Sequence, residues 1–343
     1  MNLAESVLAG NRLALARLLT HLENGVEEGR EALSVLFPHT GQAHLIGVTG
    51  APGTGKSSLV NQLARVYRQP TPDRPTRRVG IIAVDPSSPF TGGALLGDRV
   101  RMRDLAGDTG VFIRSMASRG SLGGLANATA DVAMALDAAG FEVLIIETVG
   151  AGQAEVDIAR LAHTTVVVEA PGLGDDIQAI KAGILEIADV LVINKADRPG
   201  VENTERALRN MLELAHPSPR LFRHHGLLEP GVGQATEAAP QDGQPGFWIP
   251  PIQRTVATEG TGVAELSLAI SRHYQHLVET GDWQRRERYR LQSELDGLIQ
   301  ERLLTRWRAT IPVDRYETVL QELYQRSISP WQAVSSLIDG EVE

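Results

Sequence analysis

A doubly wound α/β fold on a mostly parallel sheet is predicted by three observations on this 343-residue chain. Short, nearly continuous apolar runs recur from residue 44 onward: "HLIGVT", "VGIIAV", "VFIRSM", "FEVLIIE", "TTVVVEA", "DVLVIN" and "IQRTVA". Segments of helical length separate them, and apolar strands alternating with helices read as a parallel sheet covered on both faces. The third observation is "LIGVTGAPGTGKSSLV", in which a glycine-rich loop joins the first strand to the helix after it. Together these describe a P-loop NTPase core.

The core has appendages. Residues 3–36 show helical periodicity in Leu3, Val7, Leu8, Leu13, Leu15, Leu18, Leu19 and Leu22, broken at Gly10 and over 24–29. Two or three short helices therefore precede the core, giving an N-terminal helical extension over 1–42 and a P-loop domain over 43–281. From 282 the texture becomes a charge-dense helix with a stripe of Leu291, Leu295, Leu298, Ile299, Leu303 and Trp307. Little core remains to be covered after a complete domain, so 282–343 reads as a helical arm that contacts another subunit. The Pro- and Arg-rich stretch 69–78 is expected to link the first core helix to the second strand, and 216–251 to be a long irregular insertion.

Composition narrows the function. Hydrophobic content of 42% with 22% charged residues is that of an ordinary globular domain. A net charge of −9 argues against a nucleic-acid partner. There is no cysteine, which excludes disulfides, thiolate metal sites and cysteine nucleophiles and suits a reducing cytoplasm. The N-terminus lacks the pattern of a signal peptide, and no run approaches the roughly 18 apolar residues of a membrane span, so a cytoplasmic protein with no membrane partner is expected.

The chemistry starts at the glycine-rich loop. Gly50, Gly53 and Gly55 let backbone N–H groups wrap a phosphate at a helix N-terminus, with Ser58 in the first turn. Lys56 reaches the outer phosphates as a slim point charge, and Ser57 offers a hydroxyl to Mg²⁺. "NKAD" ends a later strand and places Asn194, Lys195 and Asp197 at the spacing of a base reader. Asp197 can accept from the N1–H and 2-amino group of guanine, a pair adenine lacks; Asn194 can bond the other base edge, and the stem of Lys195 can lie along the ring.

Asp85, Asp98 and Glu147 follow strands or lie in glycine-rich loops, where an open α/β sheet presents its ligand, and are expected on the Mg²⁺ side. Asp98 can equally pair with Arg99 or Arg101 on the surface. Gly150 can bring a backbone N–H to the γ-phosphate; Gln153 and Glu155 beyond it either orient a water or form a solvated turn. The His224–His225 pair reads as solvent-exposed, and "FIRSMASRGSLGGL", with Arg114 and Arg119, as either a mobile nucleotide-side or partner-side loop or a plain turn. Of the 33 Lys plus Arg residues only Lys56, Lys181 and Lys195 are lysines. Two sit where a forked guanidinium fails, which draws attention to the third.

The phosphate loop, "VDPSSPFTGGALLGDRVRM", "FIRSMASRGSLGGLA", "ETVGAGQAE", "PGLGDDIQAIKAGILEIAD", "VINKAD" and "FWIPPI", in this order, resemble the methylmalonyl-CoA mutase-associated GTPases. These belong to the P-loop metallochaperone-like G proteins, some once described as arginine/ornithine transport ATPases. The resemblance spans about residues 3–340 and implies a homodimer, with 282–343 as its dimerisation arm. It also implies a GTPase that uses GTP/GDP and Mg²⁺ and escorts an adenosylcobalamin-dependent acyl-CoA mutase, gating cofactor loading and protecting the mutase. It makes Lys56, Glu147, Gln153 and Lys181 the expected catalytic set; Ser57, Asp85, Asp98 and Glu147 the metal ligands; Asn194 and Asp197 the guanine readers. Lys181 ends a segment, 171–181, that matches a loop coupling nucleotide state to the partner. "RTVATEGTGV" stands where the family has Ser-Ala in its fifth nucleotide loop, which puts Val256 and Ala257 beside the nucleotide. Alternatives are a nickel-type metallochaperone GTPase, a small-molecule kinase or ATPase, and a binding switch without turnover.

Overall fold

Each of the seven apolar runs forms a strand: β1 (His44–Thr49), β2 (Val79–Pro86), β3 (Val111–Ser118), β4 (Val143–Glu147), β5 (Thr164–Glu169), β6 (Val190–Asn194) and β7 (Ile252–Thr255). The computed structural model describes residues 2–70, 75–86, 102–105, 107–118, 124–148, 160–172, 187–215 and 248–338. The strands make one sheet in the order β3-β2-β4-β1-β5-β6-β7. Every pairing is parallel, so the sheet is wholly rather than mostly parallel. β1 lies between β4 and β5, at the point where the strand order reverses, and an open sheet of this kind opens its ligand crevice there.

Residues on alternate sides of the strands feed separate cores. Helices α4 (Lys56–Arg68) and α7 (Val263–Thr280) bury Leu59, Leu63, Leu266 and Ile270 against Ile46, Val48, Ile145, Val166 and Val192 on one face. The opposite face is covered by α5 (Gly124–Ala138) and, over β5 and β6, by α6 (Val201–Ala215). Three N-terminal helices, α1 (Leu3–Leu8), α2 (Arg12–Glu23) and α3 (Glu27–Leu36), form a further layer on α5 through Leu15, Leu18, Leu19, Leu22 and Leu36. Asn2 caps α1 in a capping box with Glu5, and the Asn11 side chain accepts from Leu13 and Ala14 at the start of α2.

Arg114 lies inside β3, where the run "VFIRSM" places it and not in the loop or turn also read from "FIRSMASRGSLGGL", and ion-pairs with Glu23 of α2. Its guanidinium fastens the helical layer to the sheet edge, which corrects the loop reading. The stretch 69–78 joins α4 to β2 as expected. His224 and His225 lie outside the described residues.

The chain divides into two compact units, Met1–Leu291 and Gln292–Glu343. Helix α8 (Asp282–Thr310) begins in the first unit, and α9 (Val313–Tyr324) and α10 (Pro330–Ile338) follow in the second. Within the second unit, Trp307 Nε1 donates to Leu337 O at 3.3 Å. Among the described residues no helix is long and apolar enough to cross a membrane.

The amino ends of the strands carry a buried polar network that no local pattern announces. Asp189, just before β6, accepts two bonds from Arg286 at 2.8 Å each and one from Thr165 N at 2.7 Å. His273 Nε2 of α7 lies 3.2 Å from Asp189 Oδ1, and its Nδ1 shares the Thr164 hydroxyl with His44 Nε2. His163 Nδ1 accepts from Leu45 N at 3.1 Å, while its Nε2 meets Glu287, which also pairs with Arg290. Trp283 packs against His163 with the rings tilted by 37° and their centroids 3.9 Å apart. The first turns of α8 are thus clamped to β1, β5 and β6.

Burial opposes ionisation of Asp189, but the His273 and Arg286 partners prevail and hold its carboxyl to about 2. Glu287 is likewise held to about 2 by His163 and Arg290 against burial. Desolvation pushes His44 well below its ordinary 6.5, helped by the nearby His163, His273 and Arg77 and opposed by Asp189. Desolvation also lowers His163, against the pull of Glu287.

Two predictions follow from the clamp. Asp189→Asn leaves Arg286 without its counter-charge and is expected to cost roughly 3 kcal/mol in chemical denaturation. The low end of the range for buried pairs is taken because the Arg286 side chain remains 36% exposed. A histidine whose folded pKa is depressed stabilises fully above its ordinary value and loses that contribution as pH falls. Stability is therefore expected to decline first below pH 6.5, from His44 and His163. A second decline is expected as pH falls from the ordinary 3.8 and 4.5 of Asp189 and Glu287 toward 2. A denaturation series across pH checks this, and His44→Gln should flatten the first decline.

Candidate nucleotide site

The glycine-rich loop leaves β1 at Thr49 and enters α4 at Lys56, so its position is set by the sheet's central strand. Gly50 has φ 136° and packs so tightly on β5 that a Cβ would stand 2.1 Å from Val168 O. Gly55 has φ 93°, and a Cβ there would stand 2.4 Å from Asn194 Nδ2. Any larger residue at either position would push the loop off the strands that hold it. Gly53 forms the exposed tip between them.

Lys56 is buried, and its Nζ donates to Gly50 O at 2.7 Å and Ala51 O at 3.0 Å across the loop. One residue on, Ser57 Oγ donates to Glu147 Oε1 at 2.6 Å. Glu147 ends β4 and is buried; the backbone beyond it stays in register, with Thr148 N donating to Val48 O. A hydroxyl and a carboxylate are thereby brought together beside the first turn of α4. Both are hard oxygen donors, the type that suits Mg²⁺. Ser58 is exposed on that turn.

The NKAD segment closes the other side. Asn194, 2% exposed, donates from Nδ2 to Thr54 O at 2.8 Å. Its Oδ1 accepts from Thr255 Oγ1 at 3.1 Å and from Ala257 N at 3.0 Å. Lys195 adopts a left-handed φ of 58° and its Nζ donates to Gly53 O at 2.6 Å. Both residues therefore tie the base loop to the phosphate loop, a bracing role that spacing alone did not disclose. Asp197 lies exposed in the turn beyond. Val256 pairs with Thr261 across the fifth loop, and the backbone N–H of Ala257 is taken up by Asn194.

The structure thus brings together Gly50, Gly53, Gly55, Lys56, Ser57, Ser58, Glu147, Asn194, Lys195, Asp197, Val256 and Ala257 at the carboxyl ends of β1, β4, β6 and β7. Asp85 is the last residue but one of β2, one strand beyond β4, but its side chain lies outside the described residues, as do Asp98, Gly150, Gln153 and Lys181 altogether. Thr255 was missed by sequence reasoning. The available signal was a hydroxyl residue at the end of the last strand, in register with Asn194.

Comparisons with known proteins bear on the family and the fold. A protein of Pyrococcus abyssi named as a GTPase is 42% identical over 336 residues, covering 98% of this chain and 95% of that one. The GTPase ArgK of Escherichia coli is 40% identical over 220 residues, 62% of this chain and 65% of that protein. A Caenorhabditis elegans protein named methylmalonic aciduria type A homolog, mitochondrial, is 25% identical over 352 residues, 98% of this chain and 81% of its own length. The crystal structure of an LAO/AO transport system kinase superposes with a TM-score of 0.66 at 25% identity, covering 98% of this chain and 95% of that one. The family model described as methylmalonyl Co-A mutase-associated GTPase MeaB matches residues 15–311. The chain belongs to that family, and it is a GTPase.

Proposed function

We propose that this GTPase is Mg²⁺-dependent and escorts an adenosylcobalamin-dependent acyl-CoA mutase, with methylmalonyl-CoA mutase the first candidate. The observation that carries the reading is the family match over residues 15–311, joined to a site whose phosphate loop and base loop are bonded to each other. The name of the Caenorhabditis elegans relative points to the same metabolism.

In the proposed site, backbone N–H groups of the loop and Lys56 hold the β- and γ-phosphates, with the Lys56 ammonium exchanging its bonds to Gly50 O and Ala51 O for phosphate oxygens. Ser57 and Glu147 would hold Mg²⁺ directly or through water, joined by Asp85 and Asp98. When bound, the ion neutralises charge developing on the phosphate oxygens. Asp197 accepts from the N1–H and 2-amino group of guanine. Asn194 has one N–H not used by Thr54, which is available to the base's O6/N7 edge. Gln153 is assigned to orienting the attacking water, Gly150 to the γ-phosphate, and Lys181 to coupling the nucleotide state to the mutase. Domain roles follow: residues 1–42 as a helical extension, 43–281 as the catalytic domain, and 282–343 as the dimerisation arm. Leu295, Leu298, Ile299 and Leu303 of α8 are exposed, as are Tyr316 and Trp331, and an apolar face of this kind supports a homodimer contact. A cytoplasmic location fits the absence of cysteine.

Steady-state GTP hydrolysis, measured alone and with the mutase from the same source, tests the proposal. A rate that rises on adding the mutase, and that falls back when Lys181 is changed to Ala, is expected. An unchanged rate across candidate mutases would remove the escort role and leave the GTPase. Base reading has its own test. Asp197→Asn should weaken GTP binding about ten- to a hundredfold, the range for losing a charged hydrogen-bond acceptor. The same variant should improve binding of xanthosine triphosphate, whose C2 carbonyl can accept from the new amide, and competition between the two nucleotides reads both effects.

A further inference from the structure

We propose that His163 is an acid-operated latch: a proton taken up at its Nδ1 breaks its bond to β1 and releases the first turns of α8 from a sheet that stays folded. His163 stands immediately before β5, and its ring bridges two elements. Leu45 N of β1 donates to Nδ1 at 3.1 Å, and Nε2 lies 3.1 Å from Glu287 Oε2 of α8. A backbone N–H can only donate, so Nδ1 is the acceptor and Nε2 carries the ring's proton. The neutral ring with its proton on Nε2 is the form that serves both partners. A second proton has to sit on Nδ1, donor against donor, and cuts β1 off from the ring.

Helix α8 keeps that proton out. His163 is 2% exposed, beneath Trp283, whose ring packs against its own, and Arg286, whose Nη1 donates to its backbone oxygen at 2.8 Å. Glu287 adds the bond to Nε2 and is itself paired with Arg290 at 2.7 Å. These contacts all come from residues 283–290, so lifting two turns of one helix opens the ring to water. The Arg286–Asp189 pair, at 2.8 Å, holds the helix down while the ring is neutral.

The surrounding charges set the direction of the switch. Burial is the main force against a proton on His163; Glu287 opposes it, and Arg290 and Arg286 add to it. Beyond the ring stand His44 of β1, Arg77 before β2, and His273 and Tyr274 of α7, with Asp189 as the counter-charge to His273 and Arg286. The docked ring therefore titrates below its ordinary 6.5, whereas a ring released into water titrates near it. Docking of α8 is at full strength above 6.5 and weakens as pH falls below that value.

The test is hydrogen exchange on the full chain, corrected for the intrinsic pH dependence of exchange, in peptides spanning Leu45 and residues 282–291. From about pH 7.5 to about pH 5.5 both should speed up about tenfold, the effect of one proton taken up across the ordinary value. Low urea separates a local opening, whose rate hardly depends on it, from global unfolding. The acceleration in 282–291 should be insensitive to low urea, unlike exchange in α4. His163→Gln offers Leu45 N an acceptor oxygen and Glu287 a donor amide, but does not titrate. Its exchange in 282–291 should agree within about twofold at the two pH values. No acceleration in the parent overturns the proposal, as does one that rises with urea in step with α4 or one that survives in His163→Gln. If His163→Gln does not fold, the ring nitrogen chemical shifts of His163 in the parent decide. A ring that gains its second proton as 282–291 opens supports the latch, and a ring still neutral after the opening overturns it.

Discussion

The buried amide of Asn194 is the joint on which the site's geometry depends. It reaches Thr54 of the phosphate loop with one end and Thr255 and Ala257 of the fifth loop with the other. Three loops from β1, β6 and β7 are thereby fixed with respect to each other by one almost fully buried side chain. The steric consequence falls on Gly55, where even one methyl group would meet Asn194 Nδ2 at 2.4 Å. A glycine commonly explained by phosphate access is required here also by the residue behind it. A buried hydrogen-bonding side chain of this kind is costly to disturb, because every partner it loses stays desolvated.

The two ends of the sheet have different tasks. At the carboxyl ends, backbone carbonyls and hydroxyls converge on a loop whose shape must match a charged ligand. At the amino ends, His44, Thr164, Asp189, His273 and Arg286 satisfy one another away from solvent. β6 joins both: Asp189 precedes it and Asn194 ends it, only five residues apart in sequence. A strand clamped at one end by an ion pair and tied at the other by an amide has little freedom to slide. That rigidity suits the proposed base-reading loop, in which a small shift of Asp197 would break the paired acceptance assigned to it.

Much of this was legible in the residues, and the reasons differ by element. The strands were visible because a parallel sheet buries both faces, which writes apolar runs such as "VLVIN" without alternation. The phosphate loop was visible because its spacing is contiguous. Asp189, Arg286 and His163 were not, because Arg286 lies 97 residues from Asp189 and Glu287 lies 124 from His163, and periodicity carries no record of such contacts. Arg114 fell under two overlapping readings, the strand run "VFIRSM" and the loop or turn "FIRSMASRGSLGGL", because its partner Glu23 lies 91 residues earlier and leaves no mark on the local pattern. Asn194 was singled out by spacing, yet its three partners, and the role of Thr255 among them, come from the register between β6 and β7.

The scarcity of lysine gains a physical basis at two of its three positions. Lys56 Nζ places bonds on Gly50 O and Ala51 O at 2.7 and 3.0 Å, and Lys195 Nζ places one on Gly53 O at 2.6 Å. All are single carbonyl oxygens of one tight loop, approached end-on by a narrow ammonium whose donors can rotate. A guanidinium is a planar fork that bonds best to two oxygens side by side, and within a loop this closely wound it would force the carbonyls apart. Lys195 adds a second constraint, because it reaches Gly53 O from a backbone held in the left-handed region. A chain that writes arginine for nearly every other cation therefore keeps lysine where a point donor has to enter a space shaped for a phosphate.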